Sequence, residues 1–165
     1  MAFQNDFTRA RGRVLITTTD SINNVVKEKQ YIDNLVVDIG LEYIISRMLN
    51  TDNSIMSHMA IGAGNTETNA GSFTDLESML GSRNPLVSTN IVDQDSDGVM
   101  NSIRYNAQWL AGDATGSVVE AGIFNDGTAA QGIMLARTVF PVVNKEPNDI
   151  LSIEWTVTLE PDTTT

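Results

Sequence analysis

The 165-residue sequence predicts a mainly β fold. The expected form is an antiparallel β-sandwich, jelly-roll or immunoglobulin-like, of about eight strands with one amphipathic helix and one short helix. From Ser117 to Pro161, the segments SVVEAGIFN, QGIMLARTVFPVV and DILSIEWTVTLEP read as three consecutive strands joined by turn residues. In the last of them Leu151, Ile153, Trp155, Val157 and Leu159 alternate with Ser152, Glu154, Thr156 and Thr158. That period of two sends one apolar face to a core and one polar face to solvent. Most upstream segments also follow one another through short turns, which favours a sandwich over a βαβ sheet.

Taken in order, RVLITTT (13–19) is rich in β-branched residues, DSINN is turn-prone, and VVKEKQYI completes a first hairpin over 13–32. Leu41, Ile44, Ile45 and Met48 then fall at i, i+3, i+4 and i+7, the apolar stripe of a core-facing helix. Asp38 is placed to cap its start and Asn50 lies near its stop, while Gly40 weakens its first turn. SHMAIGA reads as a short strand, followed by a Gly/Asn/Thr-rich loop to about Gly71. Thr74 and Glu77 fit a capping box, predicting a short helix over 74–80. LVSTNIV (86–92) is the next strand, the acidic DQDSDG a turn, and VMNSIRYNAQWL a strand with Val99, Ile103, Tyr105, Ala107 and Trp109 on one face. QGIMLARTVFPVV is apolar on both faces, as expected of a strand at the centre of the sandwich, beneath the helix, or against a partner subunit. Arg137 within it needs an acidic partner if buried. Residues 13–160 are expected to form one domain, with an N-terminal arm over 1–12 and a polar tail over 161–165.

A formal charge of −11 repels phosphate backbones, so nucleic acid is not an expected partner. It also suits a protein displayed in many copies at high local density. No apolar run reaches the length that spans a bilayer, and MAFQNDFTRARGR lacks the apolar stretch of a secretory leader, so a protein made in the cytosol is expected. With no cysteine there is neither a disulfide framework nor a thiolate metal site. The basic side chains are uneven: Arg9, Arg11 and Arg13 fall within five positions. They belong either to a solvated strand or to an arm that docks on an acidic partner surface, and they are the candidate partner-binding residues.

Asp93, Asp95, Asp97 and Gly98 make D-x-D-x-D-G, the first half of a calcium loop, in which alternate carboxylates and a sharp turn surround a hard cation. Arg104 occupies the position where the full loop has a bidentate Glu, and the flanks read as strands, so an acidic hairpin turn is the better reading and calcium the one cofactor candidate. Gly62 and Gly64 could begin a dinucleotide fingerprint, but Glu67 stands where its third glycine belongs and would repel a pyrophosphate. His58, the only histidine, reads as a strand residue: it has no cysteine or second histidine for zinc, and no G-x-S-x-G elbow presents a serine to it. No carboxylate pair is singled out for glycoside cleavage. Trp109 and Trp155 are assigned to the core, and Asn65, Asn69, Asn125 and Asp126 are the loop residues that a carbohydrate site would use. No catalytic set is expected.

The series DNLVVDIGLEYIISRML, HMAIGAGNT, TDLESMLGSRN, ATGSVVEAGIFN, IMLARTVFPVVNK and DILSIEWTVTL, over residues 33–159, resembles a group of small tailed-bacteriophage virion proteins usually labelled tail-fibre, decoration or structural. The resemblance implies a β-rich, non-enzymatic module on the outside of a phage particle. It implies other virion proteins as partners and a homo-oligomer, most often a trimer. Neither a long shaft nor a separate receptor-binding domain is expected within these 165 residues, which favours a capsid decoration or cement protein. A tail-fibre, tail or baseplate component is the first alternative, and a carbohydrate- or receptor-binding module the second.

Overall fold

The computed structural model describes residues 7–49, 54–66 and 72–162. They form β1 (Phe7–Asp20), β2 (Val25–Leu35), α1 (Asp38–Met48), β3 (His58–Gly62), β4 (Met79–Pro85), β5 (Ser88–Val92), β6 (Ser102–Trp109), β7 (Gly116–Phe124), β8 (Met134–Lys145) and β9 (Asp149–Asp162). Two antiparallel sheets result, one of five strands in the order β2-β1-β9-β6-β5 and one of four in the order β4-β3-β7-β8. The sandwich expected from the sequence is present, with nine strands among the described residues.

The alternation in β9 sets the layering. Leu151, Ile153, Trp155 and Val157 are buried, and in register beside them lie Val14 and Ile16 of β1 and Tyr105, Ala107 and Trp109 of β6. This inner face packs against Met59, Ile61, Val118, Ile123, Phe140 and Val143 of the four-stranded sheet. Residues one position on in the same strands, Ala60 and Phe124, join Val37 and Met134 in a smaller cluster on that sheet's other face, packed against Phe73, Leu76 and Met79.

Four expectations are corrected. Over 74–80 there is no helix: the Glu77 carboxylate accepts from the Thr66 N–H and Oγ1 instead of closing a capping box, and β4 begins at Met79. That strand was hidden by Gly81, which adopts φ +69°, and by Pro85. Residues 7–12, expected in an arm, are the first part of β1 and pair with β9 from Asp162 to Val157, while 1–6 lie outside the described residues. β8, expected at the centre of the sandwich, lies at the edge of its sheet. The expected cover by the helix is present, since Gly40 of α1 packs on Leu135, and the chain entering α1 adds a Val36–Ala136 bridge and the Val37 N–H bond to the Leu135 carbonyl.

The fourth correction is the orientation of α1. Its buried residues are Gly40 and Tyr43, whereas Leu41, Ile45 and Met48 of the expected core stripe are 43%, 60% and 80% exposed. Gly40 decides this. The helix lies so close to β8 that a Cβ at residue 40 would overlap the Leu135 carbonyl. Tyr43 follows on the same side and donates from its hydroxyl to the Ser54 carbonyl at 2.7 Å. Val37, not Asp38, is the N-cap, and it makes no side-chain capping bond.

Candidate functional site

The outer face of the five-stranded sheet gathers the predicted charged residues. Arg11 and Arg13 lie at alternate positions of β1 and are both exposed. Arg11 pairs with Glu160 at 3.0 Å and Arg13 with Asp33 at 3.6 Å. Together with Thr156, Thr158 and Asp95 they line an open trough of about 500 Å³. Arg104 of β6 extends the charged face, contacting Glu154 at 3.4 Å and donating to Gln94 Oε1 at 3.1 Å. Arg9 lies in β1 one alternate position before Arg11. Two separate sequence features, the arginine group and the acidic turn, thus meet on one face.

In that turn the carboxylate oxygens of Asp93, Asp95 and Asp97 lie within 4.8 Å of one another, close enough to share a cation. They already serve the backbone. Asp93 accepts from the Gly98 N–H at 2.8 Å and the Asp97 N–H at 3.2 Å, and Asp97 accepts from the Val99 N–H at 2.8 Å. The Gly98 bond above all holds the Asp93 carboxyl below its ordinary range. Ser96 and Gly98 both take positive φ, as a tight turn requires.

A polar cluster that the sequence reading did not assemble fastens the segments flanking the outer side of the four-stranded sheet. Glu120 is fully buried, and its Oε1 accepts from the N–H groups of Gly64 (3.0 Å) and Ser78 (2.8 Å). Its Oε2 accepts from the Glu77 N–H (3.2 Å) and from Arg137 Nε and Nη2 (2.9 and 2.7 Å). Arg137 therefore has the acidic partner that its burial demanded. Its other nitrogen, Nη1, donates to the Thr66 carbonyl, and the guanidinium lies over the Phe73 ring. Arg83 does the same for a second loop: it stacks over Phe124, pairs with Asp75 at 3.0 Å and donates to the carbonyls of Asp126 and Gln131. The findable signal was Glu120 in the apolar SVVEAGIFN, offset diagonally from Arg137 on the neighbouring strand.

The turned-out helix opens a second surface. Between α1 and the part of the inner face of β5, β6 and β9 that no other described residue covers runs an apolar groove of about 520 Å³. Ile44 and Tyr43 form one wall, and Ile91, Ile103 and Leu159 the other, with Ile55 and Met100 at its rim. Arg47 is the one charged residue among the described residues that line it. Burial pushes the Tyr105 phenol there up to about 12.

Other sequence candidates hold the structure together. His58 begins β3, and its Nδ1 is 2.8 Å from Ser57 Oγ. Asn125 Oδ1 accepts from the Ile133 N–H and Asp126 Oδ1 from the Thr128 N–H, so both close their own loop. Asn69 and Glu67 lie outside the described residues. Trp109 and Trp155 are core residues, and Trp155 Nε1 donates to Asn34 Oδ1 at 3.0 Å. Comparison with protein-family models, with curated proteins and with solved structures finds no match to this chain.

Proposed function

We propose that this chain is a non-enzymatic structural protein of a bacteriophage virion, carried on the particle exterior, and that it decorates or cements the capsid shell as a homo-oligomer. The observation that carries the reading is the presence of two distinct surface features on one sandwich. One is the charged face of the five-stranded sheet with Arg11 and Arg13, and the other is the apolar groove beside α1. Two such features suit a protein that touches neighbours on more than one side. The gathered ionisable groups support it as well, because Glu120, Arg137, Arg83 and Asp93 are spent on fastening loops and turns. In this role Arg9, Arg11 and Arg13 dock on an acidic patch of the shell, and the −11 charge keeps crowded copies apart elsewhere.

The test is to quantify the chain in purified virions by mass spectrometry and to locate its density by cryo-electron microscopy. Hundreds of copies on the head lattice are expected. A few copies around the tail would move the protein to a tail-fibre, tail or baseplate role, and absence from the particle would overturn the reading. Replacing Arg9, Arg11 and Arg13 by Glu is expected to strip the protein from the particle. Its fold should survive, because exposed ion pairs such as these contribute about 0–1 kcal/mol each.

A further inference from the structure

We infer that the ridge of α1 and the groove beside it form a self-association face on which two copies of this chain pair about a two-fold axis, each seating its ridge in the other's groove. The inference names the surface for the homo-oligomer proposed above and rests on that part of the reading.

The ridge is Leu41, Ile45 and Met48, which helical spacing places side by side, and Ile44 connects it to the groove wall. Convex and concave parts are thus adjacent on one continuous patch. A two-fold pairing uses the same patch on both copies and needs it to be complementary to itself. The alternative is a three-fold ring, as the resemblance implies, in which each ridge enters the next copy's groove head to tail; the pair is the simpler closure because a single patch completes it.

Area and charge both point to a second copy as the occupant. Leu41, Ile45, Met48, Ile55, Ile91 and Met100 are each 43% to 80% exposed. With Leu159 they present on the order of 800 Å² of apolar surface, more than the 300–600 Å² patch of a typical monomer and about one partner's share of a standard interface. Two chains of charge −11 repel one another over most of their surfaces. The groove is lined by no acidic residue among those described and carries Arg47, so across it the repulsion is relieved. The Asp38 and Glu42 carboxylates that flank the ridge on α1 have that arginine as a counter-charge on the facing copy.

Sedimentation equilibrium of the purified full chain tests this, with Ile45→Glu/Met48→Glu on the ridge and Ile91→Glu on the opposite wall as separate variants. All three positions are exposed in the single chain, so the fold should be retained, and circular dichroism with thermal unfolding verifies that it is. The wild type is expected to be a dimer. The ridge variant should raise the dimer dissociation constant by about 100-fold or more, as expected for two central apolar contacts, and Ile91→Glu should weaken it too. Dimers that persist undiminished in both variants would overturn this surface and leave the homo-oligomer standing. A wild-type trimer would overturn the two-fold pairing, and a monomer would overturn the homo-oligomer along with it. In none of these outcomes is particle binding, read separately in virions, decided.

Discussion

Replacing Glu120 by Gln tests whether the buried ion pair fastens the segments that cover the four-stranded sheet. The substitution keeps the shape and removes the charge. Five donors converge on this carboxylate: three backbone N–H groups and two nitrogens of Arg137. A glutamine offers one acceptor oxygen and one donating NH₂. If its oxygen faces Gly64 and Ser78, its NH₂ points at Arg137 and the Glu77 N–H, donor against donor. Arg137, whose side chain is 5% exposed, is left with the Thr66 carbonyl and with Glu77 at 3.8 Å. Removing one partner of a buried pair typically costs about 3–5 kcal/mol. At about 2–4 °C per kcal/mol for a chain of this size, the thermal midpoint should fall by roughly 6–20 °C. Urea unfolding followed by circular dichroism gives the free energy, and limited proteolysis should show earlier cutting between residues 63 and 78. Arg137→Met alone should be similarly harmful. The double variant should be less harmful than the two single costs summed, because no charge is then left stranded. A Glu120→Gln variant within about 1 kcal/mol of the wild type, with unchanged proteolysis, would refute this account.

Three further outcomes are expected. Gly40→Ala should lower stability by about 1–3 kcal/mol despite the better helix propensity of Ala, because the new methyl group forces α1 off the Leu135 carbonyl; a higher thermal midpoint would contradict the close-approach argument. Stability should decline as pH rises above 10 and stop declining on this account near 12. The unfolded Tyr105 phenol ionises around 10.0 while burial keeps the folded one protonated to about 12, a loss of about 2–3 kcal/mol. Urea midpoints across that range should show this slope, and Tyr105→Phe should flatten it. Calcium should leave the thermal midpoint unmoved, because Asp93 and Asp97 already bind backbone N–H groups; a midpoint that climbs with calcium concentration and is lost in Asp95→Asn would establish a metal site instead.

The strands were legible where one face is wet. In β9 and β6 the buried residues alternate with polar ones, so the two-residue period assigned Trp155, Ile153, Tyr105 and Trp109 to the core directly from the chain. β4 was not legible, because Gly81 and Pro85 are turn signals that an edge strand tolerates and an alternation count does not. The Glu120 cluster was half legible. Burial of Arg137 required an acid, but only the β7–β8 register says which one, and a register is a pairing between segments rather than a property of either.

Helix α1 failed for a different reason, and it bears on what the protein does. Its stripe was assigned to the core on the premise that apolar residues at helical spacing face inward. The inward face was instead chosen by the residue with no side chain, since Gly40 permits a backbone approach to β8 that no larger residue allows. That choice strands Leu41, Ile45 and Met48 in solvent beside an open apolar groove. A chain that needed only to fold could have kept the helix and made those three positions polar at little cost to the monomer. Local pattern and fold agree through most of this sandwich, and the places where they part are where function is expected to have shaped the sequence. The conflict at α1 is therefore an argument for assembly through that face, independent of the area and charge that point to the same surface.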